Sequence, residues 1–259
     1  MATSLTEINI PHNTVNNPIV LEFIGLPGAG KTTVFNQVVS RLKEQGVSVA
    51  AGDEILREWK NQKLWQRLWK LIPQTENQWR ILLHSLFLAS QVKPTNWLSF
   101  SKAIKTYANL KRIDAIAHSQ NDQLILLDQG LLQEIWSIGV TGTTPSLEDI
   151  RQELALLFSQ RPIAIVDFQI NVETAIQRIQ NRPTDQSRFD LMSKEVAQQL
   201  LSQYAPYLQD IINCAQTFNI PVLSIDSSLS VEEKTQKILS WINNSLTKHP
   251  EPVRLQNVI

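Results

Sequence analysis

Short, continuous apolar runs recur along the chain, and between them the apolar residues repeat at spacings of three and four. Ile19–Ile24 (IVLEFI), Val47–Ala51, Leu124–Leu127 (LILL), Ile163–Val166 and Val222–Ile225 are the runs. Runs of this length without polar alternation suit strands buried on both faces. Lys31–Gln45 reads as a helix, with Val34, Val38, Val39 and Leu42 on one face and Gly46 as its stop. Ser146 and Ser230 each stand three residues before an acid, Asp149 and Glu233, and so predict capping boxes. Asn171 is placed to cap a helix beginning at Val172. Strands alternating with helices predict an α/β fold: three layers, with a five-stranded parallel sheet joined by right-handed crossovers.

Asp53–Asp122 breaks this alternation. It carries helical patterns and no strand run, and it holds five of the seven tryptophans: Trp59, Trp65, Trp69, Trp79 and Trp97. It reads as a helical region added to the sheet. Trp79 and Arg80 could stack on or bind an acceptor, with core packing the leading expectation for Trp79. Residues 1–17 are polar and Asn-rich, and the tail from Thr247 carries Pro250 and Pro252, so both ends read as flexible segments around a domain over 18–246.

Charge and cysteine content narrow the function classes. Lys+Arg and Asp+Glu both number 24, which argues against a general nucleic-acid binder. No apolar run reaches the length of a transmembrane helix, and the N-terminus lacks the pattern of a signal peptide. A soluble, cytoplasmic protein without stable membrane insertion is the expectation. Cys214 is the single cysteine, so no internal disulfide is possible; its apolar helical surroundings predict a buried thiol. A homodimer is left open.

The first run ends in Gly25-Leu26-Pro27-Gly28-Ala29-Gly30-Lys31-Thr32, followed by Thr33, which fits G-x-x-x-x-G-K-[ST]. The chemistry behind the pattern is specific. Phosphates must be surrounded by backbone N–H donors, so the loop must bend tightly, and glycines permit that bend. The helix N-terminus beyond the loop adds positive field. Lys31 supplies a cation for the β- and γ-phosphates and Thr32 a hydroxyl for Mg²⁺. The strand–loop–helix context is the one the motif requires, so a nucleoside triphosphate, taken as ATP with Mg²⁺, is the expected ligand.

With these residues in view, the chain resembles the P-loop nucleoside and nucleotide kinases, of thymidylate-kinase-like and adenylate-kinase-like type. The likeness rests on GLPGAGKTT, on Asp128-Gln129-Gly130 after the third strand, and on Arg178, Arg182 and Arg188 after the fourth. It extends to Ile225-Asp226-Ser-Ser at the last strand. Gln129 stands where that family often has arginine. The resemblance implies a lid over 178–190 whose arginines close on the phosphates, and a last-strand turn beside the adenine. Arg178 and Arg182, four apart, are expected on one helical face. Asp128, at the carboxyl edge of the sheet, could bind Mg²⁺ through water, orient the acceptor or cap a helix. Asp53 and Glu54 follow the second strand. Likeness to deoxynucleoside kinases makes one of them a general base on an acceptor hydroxyl, whereas Gly52–Arg57 is similar to the acceptor turn of adenylate kinases and implies a phosphorylated acceptor.

Lys60, Lys63, Arg67 and Lys70 share one helical face, with Trp65, Leu68, Trp69 and Ile72 on another. Docking on the domain, a wall for the acceptor pocket and contact with an anionic membrane are the open readings. The leading functional expectation is phosphoryl transfer from ATP to a small molecule, a nucleoside or nucleotide. A GTPase or ATPase switch, and a nucleotide-binding protein without transfer activity, are the alternatives. The chain contains no N-K-x-D guanine signature.

Overall fold

The computed structural model describes residues 19–52, 69, 71–93, 97–119, 124–140, 142–159, 162–182 and 189–246. The basic face from Lys60 to Lys70, the acids Asp53 and Glu54, Arg188, and both terminal segments lie outside the described residues.

The described residues hold a five-stranded, fully parallel sheet in the order β2-β3-β1-β4-β5. The strands are β1 (Ile19–Gly25), β2 (Val49–Ala51), β3 (Leu124–Leu127), β4 (Ile163–Gln169) and β5 (Val222–Asp226). Each coincides with one of the five apolar runs, β4 extending three residues further and β2 starting two later. β1 is central and pairs with β3 from Ile19↔Leu124 to Glu22↔Leu127, and with β4 from Val20↔Ile163 to Gly25↔Phe168.

Helices cover both faces. α1 (Lys31–Glu44) and α8 (Val231–Trp241) pack on the face formed by Leu21, Phe23, Ala164, Val166 and Phe168. The opposite face, with Val20, Ile24, Ile125, Ile163 and Ile165, carries the larger core. That core is closed by α2 (Glu76–Gln91), α3 (Trp97–Ser119), α4 (Leu131–Gly139), α5 (Leu147–Phe158), α6 (Val172–Gln180) and α7 (Lys194–Thr217). A five-residue π-helical turn, Ile242–Leu246, follows α8.

The helix starts follow their local chemistry. Ser230 and Glu233 form a full capping box, and the Asn171 side chain accepts from the Thr174 amide at 2.8 Å. Ser146 caps α5 through the Asp149 amide, but Asp149 does not complete the box: its carboxylate accepts from the Ser146 hydroxyl at 2.6 Å. Three further expectations are corrected. Trp79 is not core; it is 48% exposed and forms an outward stripe on α2 with Leu83 and Phe87, because α2 buries Ile81, Ser85, Leu88 and Ala89 instead. Cys214 is only partly buried, at the margin of the larger core, and burial still raises its thiol pKa. Arg182 does not share a helical face with Arg178, since α6 ends at Gln180 and the Arg182 amide closes a turn onto the Ile179 carbonyl.

The helical layer contains one charged tie that links stability to pH. On α2, His84 Nδ1 lies 2.8 Å from Oε2 of Glu153 on α5, and Ser85 donates to the other oxygen of this fully buried carboxylate. Burial pushes the His84 pKa down. The bond to Glu153, its charge, and the contributions of Gln152 and Asp149 outweigh that and leave His84 above its ordinary value. A raised folded-state pKa means stability that is complete below the unfolded value and is lost as pH rises through the folded one. His84→Ala is therefore expected to cost about 2 kcal/mol at acidic pH. The deficit, measured as the difference in denaturation midpoint from the wild type, narrows as pH rises past neutrality.

Candidate nucleotide site

The loop between β1 and α1 has the conformation a phosphate cradle needs. Gly28 sits at φ 87°, and a Cβ there would meet the Ala175 carbonyl oxygen at 2.6 Å, so this position is closed to any side chain. The Ala29 amide closes the turn onto the Leu26 carbonyl at 3.2 Å. α1 begins at Lys31, and its N-cap, Gly30, offers no side-chain acceptor. The first amides of α1 are left to serve an anion at the mouth of the loop.

Lys31 and Thr32 take up complementary positions. Lys31 Nζ donates to the carbonyls of Gly25 at 2.7 Å and Leu26 at 3.1 Å, so the cation rests folded along the loop. Its pKa is lowered to about 8, first by burial and then by the positive charge of Arg182, while Asp128 opposes both. The Thr32 hydroxyl donates to Asp128 Oδ2 at 2.8 Å. These two residues are 96 apart in sequence, and the β1–β3 pairing brings them together. Hydroxyl plus carboxylate fits Mg²⁺, a hard cation that keeps several waters and takes its remaining ligands from phosphates.

The arginines after β4 separate in role. Arg178 donates to the Gly28 carbonyl at 3.5 Å and to the Ser227 carbonyl at 3.0 Å, tying the loop to the turn after β5. Arg182 stands beyond the helix end, partly exposed, with Nη1 4.0 Å from Asp190 Oδ1, and its charge is felt by Lys31. A cleft of about 440 Å³ opens beside Arg178, lined by Leu26, Asp167, Thr174, Ser227 and Ser228 among others. Asp167 is buried there, and burial raises its carboxyl pKa.

Residues 20–206 match the family model described as an AAA domain, a span of over two-thirds of the chain. The chain belongs to this AAA domain family. In this AAA domain the matched span begins within β1 and ends in α7, so it includes the loop, Asp128 and both placed arginines. Solved structures give distant likenesses. A deoxyadenosine kinase from M. mycoides with products dCMP and a flexible dCDP is 17% identical; 86% of this chain and 98% of that one are covered, with a TM-score of 0.47. The same enzyme with bound dATP gives 14%, 87%, 100% and 0.45. The YorR protein of Bacillus subtilis in complex with phosphorylated GDP gives 12%, 89%, 99% and 0.45. No curated protein matches the chain.

Several polar groups outside the AAA domain's loop motif make contacts that sequence reasoning missed. Glu22 lies in the middle of β1, fully buried on the larger-core face, and its carboxylate accepts from the amides of Leu132 at 3.2 Å and Gln133 at 2.9 Å. Gln133 Oε1 in turn accepts from the Gly25 amide at 3.3 Å. On the β3 side, Glu134 pairs with Lys102 at 3.0 Å, and Lys111 Nζ donates to Gln78 Oε1 at 3.0 Å. A lone acid inside an apolar strand run was the available clue to Glu22; the others sit in helices whose packing the periodicity alone does not reveal. Among the described residues, no helix is long and apolar enough to cross a membrane.

Proposed function

We propose that this protein is a P-loop kinase that transfers the terminal phosphoryl group of ATP to a small-molecule acceptor of the nucleoside or nucleotide class, in the cytoplasm. The observation that carries the reading is the meeting of Thr32 and Asp128 at 2.8 Å beside the loop that Lys31 completes. A metal-binding pair, a phosphate cradle and a nearby mobile-cation candidate, Arg182, are the parts that phosphoryl transfer uses, since positioning and charge stabilisation do most of the work in that reaction. Mg²⁺ bound at Thr32 and Asp128 would supply charge neutralisation on the β- and γ-phosphates.

The roles of the chain's own groups follow. The amides of the loop and the first turn of α1 bind the phosphates. Lys31 turns from the Gly25 and Leu26 carbonyls to the phosphate oxygens. Arg178 holds the loop against the β5 turn and walls the cleft that takes the base. Arg182, with Arg188, closes on the transferring group, and Asp53 or Glu54 takes the acceptor proton. Thr33 continues the helix N-terminus behind the phosphates. Excluding water at that step separates a kinase from a nucleotidase.

Nucleotide turnover measured with and without a panel of nucleosides, nucleoside monophosphates and other small alcohols tests the reading. Acceptor-stimulated turnover with a phosphorylated product is expected; turnover that no acceptor raises would point to the switch alternative. Arg182→Ala is expected to lower kcat about 10²-fold while leaving nucleotide affinity nearly unchanged. Equal losses in both would mean that Arg182 serves ground-state binding only.

A further inference from the structure

Resting on that reading, we propose that Glu22 is a positioning residue that sets the Asp128–Gly130 turn in register with Thr32. The argument begins with the cap of α4. A helix N-terminus is ordinarily served by a Ser, Thr, Asp or Asn at its own N-cap, a local solution. Here the N-cap is Gly130, with no side-chain cap bond. The acceptor comes from Glu22 on β1, 110 and 111 residues away, which takes the amides of Leu132 and Gln133. Gly130 is what makes this possible: a Cβ there would lie 2.5 Å from Glu22 Cδ and 2.6 Å from its Oε2. Any standard capping side chain at 130 would collide with the carboxylate that replaces it.

The long-range cap also closes a ring. Glu22 leads through Phe23 and Ile24 to Gly25, whose amide donates to Gln133 Oε1, and Gln133 is held by Glu22. The first residue of the phosphate loop and the first turn of α4 are thus fixed to each other at two points. Asp128 lies two residues before Gly130 on the segment this ring anchors, and Thr32 lies seven beyond Gly25. The separation of hydroxyl and carboxylate at the metal-binding pair is set by that anchorage.

A buried carboxylate is costly in an apolar strand layer, and a hydrophobic residue would satisfy β1 as well as its neighbours do. Burial lifts the Glu22 pKa to about 7; the α4 amides pull against it, and Glu134 is the charged neighbour that adds to the rise. What the acid supplies in return is the pair of acceptors for the Leu132 and Gln133 amides.

The full chain carrying Glu22→Gln tests this. Two readouts are taken without any reaction: hydrogen exchange of the Leu132 and Gln133 amides, and calorimetric affinity for ATP in EDTA and in Mg²⁺. The expected result is faster exchange at both amides, unchanged affinity in EDTA, and an Mg²⁺-dependent gain in affinity reduced about tenfold, as for loss of a group that orients a metal ligand. Gln133→Ala keeps the cap but opens the ring, and is expected to shift the Mg²⁺ gain in the same direction by less; it carries the test if Glu22→Gln does not fold. Faster exchange with an undiminished Mg²⁺ gain would overturn the proposal, leaving Glu22 a helix cap. A wild type whose ATP affinity does not respond to Mg²⁺ would instead overturn the metal-binding reading of Thr32 and Asp128.

Discussion

Lys31→Ala is expected to fold with an unchanged denaturation midpoint and to lose ATP binding by more than about 10²-fold, as read by calorimetry. Each charge-assisted hydrogen bond to a phosphate oxygen contributes about 1.5–3 kcal/mol, and Lys31 has the reach to make two. The folded state loses little, because the lysine's own contacts are two loop carbonyls that water can serve in its place. The ligand-free pKa of about 8 adds a pH signature. Phosphates favour the charged amine, so affinity is full below pH 8 and falls as pH rises through that value. The same titration in Lys31→Ala is expected to be flat there. Wild-type affinity in the variant would refute the loop assignment.

Asp128→Asn is expected to have the second largest effect. Asparagine keeps an oxygen for the Thr32 hydroxyl, so the turn and the fold persist. What is removed is the negative charge that a hard dication needs. The Mg²⁺ concentration for half-maximal turnover is expected to rise by at least about 10²-fold, with nucleotide affinity in EDTA unchanged or slightly improved, since a carboxylate beside the phosphates repels them. If the Mg²⁺ requirement does not move, Asp128 orients the acceptor or caps the turn instead.

The fold was legible because its signals are local and redundant. Each strand announces itself as an apolar run, since a parallel sheet covered on both faces has no polar face to show. The loop was legible because a phosphate cradle constrains four positions within eight residues. Asp128 was legible by its place at the end of LILL. What escaped was long-range. Glu22 reads as a blemish in IVLEFI until β1 is laid against α4, and the partners of Arg178 are carbonyls 49 and 150 residues away. Trp79 was misassigned because helical periodicity shows which residues share a face without showing which face meets the core. The exposed Trp79–Leu83–Phe87 stripe is as regular as the buried one on the same helix.

The central place of β1 has a consequence for how such a protein can change. The strand that bears the phosphate loop has β3 and β2 on one flank and β4 and β5 on the other. Groups assigned to the donor nucleotide, Arg178 and the Ser227 turn, stand on the second flank, while α2 and α3 enter the chain between β2 and β3 on the first. Under the proposed function, substitutions in the tryptophan-rich insertion would alter what receives a phosphate while leaving the donor groups of the β4–β5 flank in place. The two specificities of that proposed reaction would then be free to drift at different speeds.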